Sequence, residues 1–191
     1  MNTALILLAA GNSKRFGSKK LLYRIDGKTM LERAVDAAAG SGIPFAVVTQ
    51  AGETAQTARS LGAEVIINRY PERGISSSLK LGLAHFSDAD AFMFMVCDQP
   101  YLRPETISKL EREFRRSPKG IACLSHGARH GNPVIFDGKY TDELMQLEGD
   151  IGGRQIIKNH PEDLITLDVT SIELTDIDLR SDLNAIQTER E

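Results

Sequence analysis

Short, almost purely apolar runs alternate along the first half of the chain with stretches whose apolar residues recur every three or four positions. The runs at 4–8, 46–48, 65–67 and 92–96 are too apolar for half-exposed strands and predict strands buried on both faces. Between them, Met30, Leu31, Ala34, Val35 and Ala38 mark one face of a helix that ends near Gly40-Ser41-Gly42, ahead of Pro44. Further helices are predicted over 54–61, ending at Gly62, and over 75–85, opened by Gly74. Another spans 104–116, with Pro104 in its first turn and Ile107, Leu110 and Phe114 on one side. Alternation of this kind implies a mainly parallel sheet with helices on both faces.

The second half is less regular. Strands are predicted at 121–124 and 134–136 around the hairpin-like stretch from Gly127 to Pro133. Helices follow at 139–147 and 151–158, a strand at 164–169 and a closing helix at 181–187, with polar residues 188–191 fraying. No internal repeat, low-complexity segment or linker interrupts the chain. The expectation is one three-layer α/β/α domain over residues 1–191, long enough to bury a substantial core.

Composition narrows the function classes. Hydrophobic residues make up 41% and charged residues 26%, the balance of a globular protein. A net charge of −3 argues against a general nucleic-acid binder held by phosphate contacts. An anion site must then be a local concentration of charge. Cys97 and Cys123 sit in apolar runs and read as small core hydrophobes in a reducing compartment, not as metal ligands. The absence of an 18-residue apolar run or a signal-peptide pattern predicts a cytoplasmic protein without a membrane partner.

The run at 4–8 breaks into Ala9-Ala10-Gly11-Asn12-Ser13-Lys14-Arg15-Phe16-Gly17-Ser18-Lys19-Lys20. A buried strand opening into a glycine-rich, cationic loop suits a polyphosphate: small residues let backbone N–H groups face the anion, and Lys and Arg supply charge. The spacing matches neither a Walker loop nor a dinucleotide turn. At the end of another buried run stands Asp98, in Val96-Cys97-Asp98-Gln99-Pro100. A carboxylate there lies in the crevice where open α/β sheets place ligands, and suits Mg2+, which commonly takes one or two carboxylates plus substrate phosphates. The alternative for Asp98 is a turn residue capping the next helix. In the stretch from Asn68 to Gly82, Ser76 or Ser77 reads as a helix cap, which leaves Asn68, Gly74 and Ser78 to be explained.

The first loop resembles the signature Leu-Ala-Ala-Gly-x-Ser-x-Arg-x-Gly-x-x-Lys of the molybdenum cofactor nucleotidyltransferase family, matched here at Leu8, Ala9, Ala10, Gly11, Ser13, Arg15, Gly17 and Lys20. Asp98-Gln99-Pro100 has its counterpart there, and looks more like the cytidylyl-transferring branch than the guanylyl one. Leu147-Glu148-Gly149-Asp150-Ile151-Gly152-Gly153-Arg154 resembles Leu-x-Gly-Asp-x-Gly-Ala-Arg, with Gly153 in place of alanine. Gly131-Asn132-Pro133-Val134 resembles Gly-His-Pro-Val, with Asn132 where histidine is usual. The segment from Asp176 to Leu183 resembles Asp-Ile-Asp-Thr-Pro-Glu-Asp-Leu, with Leu179, Arg180 and Ser181 replacing its middle.

The resemblance implies a Rossmann-like fold of the nucleotide-diphospho-sugar transferase type. It also implies transfer of a nucleoside monophosphate, CMP from CTP in the cytidylyl branch, to a molybdopterin-type acceptor, with Mg2+ and release of pyrophosphate. The product would serve a recipient molybdoenzyme such as xanthine dehydrogenase. Arg15, Lys20 and Asp98 are then catalytic, and Leu8, Ala9, Ala10 and Gly11 hold the nucleotide. Asn68, Gly74 and Ser78 line the base, Gly74 by letting backbone approach it and Ser78 by hydrogen bonding. Mg2+ falls to Asp98 with a second carboxylate, Asp150 in first place and Asp176 or Asp178 as alternatives; Asp150 also reads as a helix cap. Three other functions stay open: a guanylyltransferase, a sugar- or polyol-phosphate nucleotidyltransferase of the same fold, and a non-catalytic accessory protein that hands on the cofactor.

Overall fold

The structure is a computed structural model that describes residues 1–11, 16, 19–179 and 181–182. Strand β1 (Thr3–Ala9) is followed by a 3-10 turn at Lys20–Leu22, the short hairpin β2 (Arg24–Ile25) and β3 (Lys28–Thr29), and helix α1 (Met30–Gly40). Then come β4 (Phe45–Thr49), α2 (Glu53–Ser60), β5 (Glu64–Ile67), a 3-10 turn at Pro71–Arg73, α3 (Ile75–His85), β6 (Ala91–Val96) and α4 (Pro104–Arg116). The remainder is β7 (Ile121–His126), β8 (Arg129–Asp137), α5 (Thr141–Gln146), α6 (Arg154–Asn159) and β9 (Leu164–Asp168), with a last 3-10 turn at Ser171–Leu174.

Among the described residues, seven strands form one sheet in the order β5-β4-β1-β6-β8-β7-β9, in which only β8 runs against the rest. The mainly parallel, helix-covered sheet expected from the apolar runs is present. Alternate side chains along each strand leave on opposite faces. Leu5, Leu7, Met93 and Met95 join Leu31, Val35, Ile107, Leu110 and Phe114 on the face covered by α1 and α4. Ile6, Phe92 and Phe94 join Leu79, Leu83, Leu144, Ile156 and Ile157 on the face covered by α3, α5 and α6. A third, smaller cluster of Phe16, Ile25, Met30 and Ile177 sits apart from both.

Differences from the sequence expectation fall in the second half. Residues 129–133, expected as loop, belong to β8, because the hairpin turns at Gly127, whose φ of +57° suits a tight reversal. The helix expected from 139 begins as a 3-10 turn at Gly138–Tyr140, and the one expected from 151 starts only at Arg154. Gly149, at φ +61°, breaks the backbone between the two helices. The small hairpin β2–β3 was not anticipated, and the closing helix expected at 181–187 lies largely outside the described residues. Among the described residues, no helix is long and apolar enough to cross a membrane.

Helix α3 sits close enough to β1 that Gly82 has no room for a side chain: a Cβ there would stand 2.5 Å from Cγ2 of the fully buried Ile6. Gly82→Ala should therefore destabilise the protein by about 1–3 kcal/mol through overpacking. Alanine's helix propensity works the other way by about 1 kcal/mol. Urea denaturation of the two proteins measures the balance; a stabilised variant would mean that α3 and β1 are not in this contact.

Candidate functional site

Strands β1 and β6 lie side by side and parallel, with Leu8 opposite Val96, so both release the chain at the same edge of the sheet. β1 pairs with β4 on its other side; the chain runs outward from β1 to β4 and β5 and then returns past β1 to β6, which makes this the switch point where such sheets place ligands. A cavity of about 800 Å3 opens there, a volume suited to a nucleotide-sized molecule. Leu8, Ala9, Ala10, Gly11, Lys20, Gly74, Ser78, Asp98 and Asp150 all line it, together with Asp178. Of the remaining expected residues, Arg15 lies outside the described residues, and Asn68 faces a neighbouring cavity instead. Thr49 Oγ1 donates to the Ala9 carbonyl at 3.1 Å and Gln50 Nε2 to that of Ala10 at 2.8 Å, which fixes the start of the loop.

Lys20 is the buried charge of this cavity. Its Nζ donates to Asp98 Oδ2 at 2.9 Å and to Asp178 Oδ1 at 2.8 Å, with 9% of the side chain exposed. Burial acts to lower its pKa, but the charges of Asp98 and Asp178 and their hydrogen bonds outweigh it, so the pKa is raised and the ammonium stays charged. Asp98 does not cap a helix: α4 starts at Pro104 with Arg103 before it and no side-chain cap.

The wall formed by residues 68–78 is built differently from the expectation. Gly74, with φ +80° and ψ −175°, occupies backbone space open essentially to glycine. The close approach it permits is to the chain itself, since a Cβ would stand 2.3 Å from the Gly149 carbonyl group and 2.6 Å from the Asp150 nitrogen. Ser76 N donates to the Gly149 carbonyl at 3.1 Å across the same contact. Asn68 is used up internally: Nδ2 donates to Ser77 Oγ at 2.8 Å and Ser78 Oγ at 3.0 Å, and Oδ1 accepts from Tyr70 N. It braces the wall from behind. Neither Ser76 nor Ser77 caps α3; Ser77 Oγ donates to the Gly74 carbonyl.

Three candidates for a second carboxylate sit in three environments. Asp150 is exposed on the cavity rim, and does not cap α6, which follows Gly153. Asp176 accepts from Gln99 Nε2 at 2.9 Å and Arg129 Nη2 at 3.1 Å; burial, then the charge of Asp98, raise its pKa. Asp178 alone shares a partner with Asp98. Its backbone is held by Asp182 Oδ2, which accepts from Asp178 N at 2.8 Å and Leu179 N at 2.7 Å. Ile177 N donates to the Asp98 carbonyl at 3.0 Å, so residues 176–178 lie as a strap across the end of β6.

The sequence reading passed over Thr49, Gln50 and Asp182. Their only signal was position, Thr49-Gln50 at the end of an apolar run and Asp182 inside an acidic motif. Burial raises the pKa of Cys97 and pushes Cys123 up to about 11, which leaves both thiols inert. His85 and His160 contact Glu64 and Glu143, away from the cavity.

Comparison with known proteins places this arrangement among relatives. The family model described as MobA-like NTP transferase domain matches residues 5–164. A probable molybdenum cofactor guanylyltransferase of Pyrococcus horikoshii is 32% identical over 75% of this chain and 72% of its own length. The bifunctional protein GlmU of Clostridioides difficile is 30% identical over 77% of this chain, which spans only 32% of that protein. The crystal structure of Rv0371c from Mycobacterium tuberculosis has a TM-score of 0.83 at 25% identity, over 97% of this chain and 96% of that one. The same protein in complex with manganese gives a TM-score of 0.77 at 21% identity, over 97% and 98%.

Gly74→Ala should cost more than about 1 kcal/mol, because both its backbone conformation and the Gly149 peptide exclude a Cβ. The same change should raise the KM for nucleotide as the 149–150 loop is pushed away. Thermal denaturation and initial-rate kinetics on the one variant read both effects, and an unaltered melting temperature would refute the contact.

Proposed function

The chain belongs to the MobA-like NTP transferase domain family, and on that footing we propose that it transfers the nucleoside monophosphate of CTP to the phosphate of a molybdopterin-type acceptor, releasing pyrophosphate. The observation that carries the reading is the Lys20 ammonium held by Asp98 and Asp178 where β1 and β6 end. The name of the Pyrococcus relative supports the acceptor class.

The donor set fits a divalent cation. One oxygen of Asp98 and one of Asp178 gather on a single positive nitrogen, and both are the hard ligands that Mg2+ prefers. We assign Mg2+ to Asp98 and Asp178, ahead of Asp150 and of Asp176, whose carboxylate is engaged by Gln99 and Arg129. When bound, the cation supplies positive charge against the phosphate oxygens. Lys20, with Arg15 and the main chain of Ala10 and Gly11, would hold the triphosphate and the leaving pyrophosphate. An acceptor phosphate oxygen attacks the α-phosphorus in line as the bond to the α–β bridging oxygen breaks, and pyrophosphate leaves with that electron pair. The attacking phosphate is already ionised near neutral pH, so no general base is assigned. The task of the protein is positioning and charge.

Base choice rests on the wall at Gly74 and Ser78. The Gly149 peptide packs against Gly74, so this part of the wall is built from backbone. Gln99, part of the resemblance to the cytidylyl branch, is buried, donates to Asp176 of the strap and is not among the residues that line the cavity. The guanylyltransferase name of the Pyrococcus relative favours GTP as the second reading.

Asp98→Asn should lower kcat at least about a hundredfold, the loss typical of removing one key electrostatic group, with an unchanged far-UV spectrum. Near-normal turnover by the folded variant would remove Asp98 from its role. CTP should exceed GTP at least about tenfold in kcat/KM, equal to roughly 1.4 kcal/mol. Parallel assays with CTP, GTP, ATP and UTP decide this, and a GTP preference would transfer the protein to the guanylyl reading.

A further inference from the structure

We propose that Lys20 competes with the divalent cation for Asp98 and Asp178, so that the site holds the free ion poorly and takes it as its nucleoside triphosphate complex. The proposal rests on the nucleotidyl-transfer reading above. Nζ stands 2.9 Å from Asp98 Oδ2 and 2.8 Å from Asp178 Oδ1. A Mg2+ ion bound to the same oxygens would sit about 2.0–2.1 Å from each, in the space the ammonium fills. Two positive centres cannot share that space, so one must leave.

Where the ammonium can go decides the outcome. The carbonyls of Ala9 and Ala10, which also line the cavity, each already accept one hydrogen bond, from Thr49 and Gln50, and carry no formal negative charge to replace a carboxylate. The other carboxylates lining the cavity, Glu72 and Asp150, are exposed residues of the 71–78 and 149–150 segments, on elements other than those that carry Asp98 and Asp178. Asp178 cannot simply follow the ammonium, because Asp182 accepts from the peptide N–H groups on both sides of it, those of Asp178 and Leu179. A free cation must therefore displace a buried charge with no equivalent partner offered in return. A triphosphate changes this, since its β- and γ-phosphate oxygens supply anionic acceptors for Nζ as the cation takes the two carboxylates. Lys20 then serves twice: it keeps Asp98 and Asp178 together, and it couples cation binding to nucleotide binding.

Lys20→Met keeps the length of the side chain and removes its charge. Binding of Mn2+ alone, followed by loss of the free-ion electron paramagnetic resonance signal, should be at least tenfold tighter for this variant than for the unaltered protein. Adding Asp98→Asn to Lys20→Met should abolish the gain. For the unaltered protein, CTP without acceptor should tighten Mn2+ binding at least tenfold, and Mn2+ alone should raise the melting temperature of Lys20→Met only. Lys20→Gln serves as a second variant should Lys20→Met fail to fold, and the unaltered protein with and without CTP tests the coupling independently. Equal Mn2+ affinity of variant and unaltered protein overturns the competition. A gain that survives Asp98→Asn overturns both the competition and the assigned carboxylates. Expected Mn2+ behaviour without transfer from any nucleoside triphosphate would overturn the transferase reading and leave the competition standing.

Discussion

The ion triplet of Lys20, Asp98 and Asp178 ties together three stretches of chain that are far apart in sequence: the loop after β1, the exit of β6 and the C-terminal strap. Removing an ammonium from water costs several kcal/mol, and the cost is tolerable only where opposite charges and hydrogen bonds replace the lost water. Two carboxylates do so here. The cluster of Phe16, Ile25, Met30 and Ile177, with Tyr101 packed against it, joins the loop after β1, the segment that follows β6 and the strap by apolar contact. Ile177 belongs to both systems, since its side chain is fully buried in the cluster while its N–H donates to the Asp98 carbonyl. The ion triplet and the apolar cluster are thus tied to each other through one residue of the strap.

The opposite wall of the cavity depends on missing side chains. Gly74 and Gly149 bring two backbones into contact, and the Ser76 hydrogen bond closes the seam. Gly153 belongs to the same logic. The resembled motif carries alanine at this position, but a Cβ here would stand 2.7 Å from the Phe136 ring. Phe136 is fully buried and packs near Phe94 and Tyr140. The departure from the motif is therefore matched by a bulky neighbour, and the 149–153 loop keeps its place against the sheet.

Much of the fold was legible because burial on both faces leaves an unmistakable trace: the runs at 4–8 and 92–96 are apolar at nearly every position, and both are central strands. Helices α3 and α4 were bounded correctly by Gly74 and Pro104. What failed to show was structure set by long-range contact. Residues 129–133 look like a loop, yet pair with β7, because cross-strand partners and not local preference hold them. Part of the signal at α1 was available and unused: Thr29 and Glu32 form a capping box, a pattern readable from their spacing. In the cavity, the cationic loop after the first apolar run pointed to Lys20, and the carboxylate at the end of the 92–96 run to Asp98. The bracing role of Asn68 was invisible, because hydrogen-bonding capacity alone does not say whether an amide faces a ligand or its own chain.

The acidic motif near the C-terminus shows why the partial loss of a pattern need not weaken its chemistry. Its middle residues differ from the resembled motif, while Asp176, Asp178 and Asp182 remain, and each carboxylate has a separate task. Asp176 anchors the strap to Gln99 and Arg129. Asp178 reaches the ammonium, and Asp182 holds the backbone from which Asp178 projects. None of these contacts uses the side chain of Leu179 or Ser181, so replacement there leaves the geometry of the acids unaltered. The burden of the motif lies on three oxygens-bearing side chains at fixed spacing, and the strap can carry them to the end of β6 with other residues between.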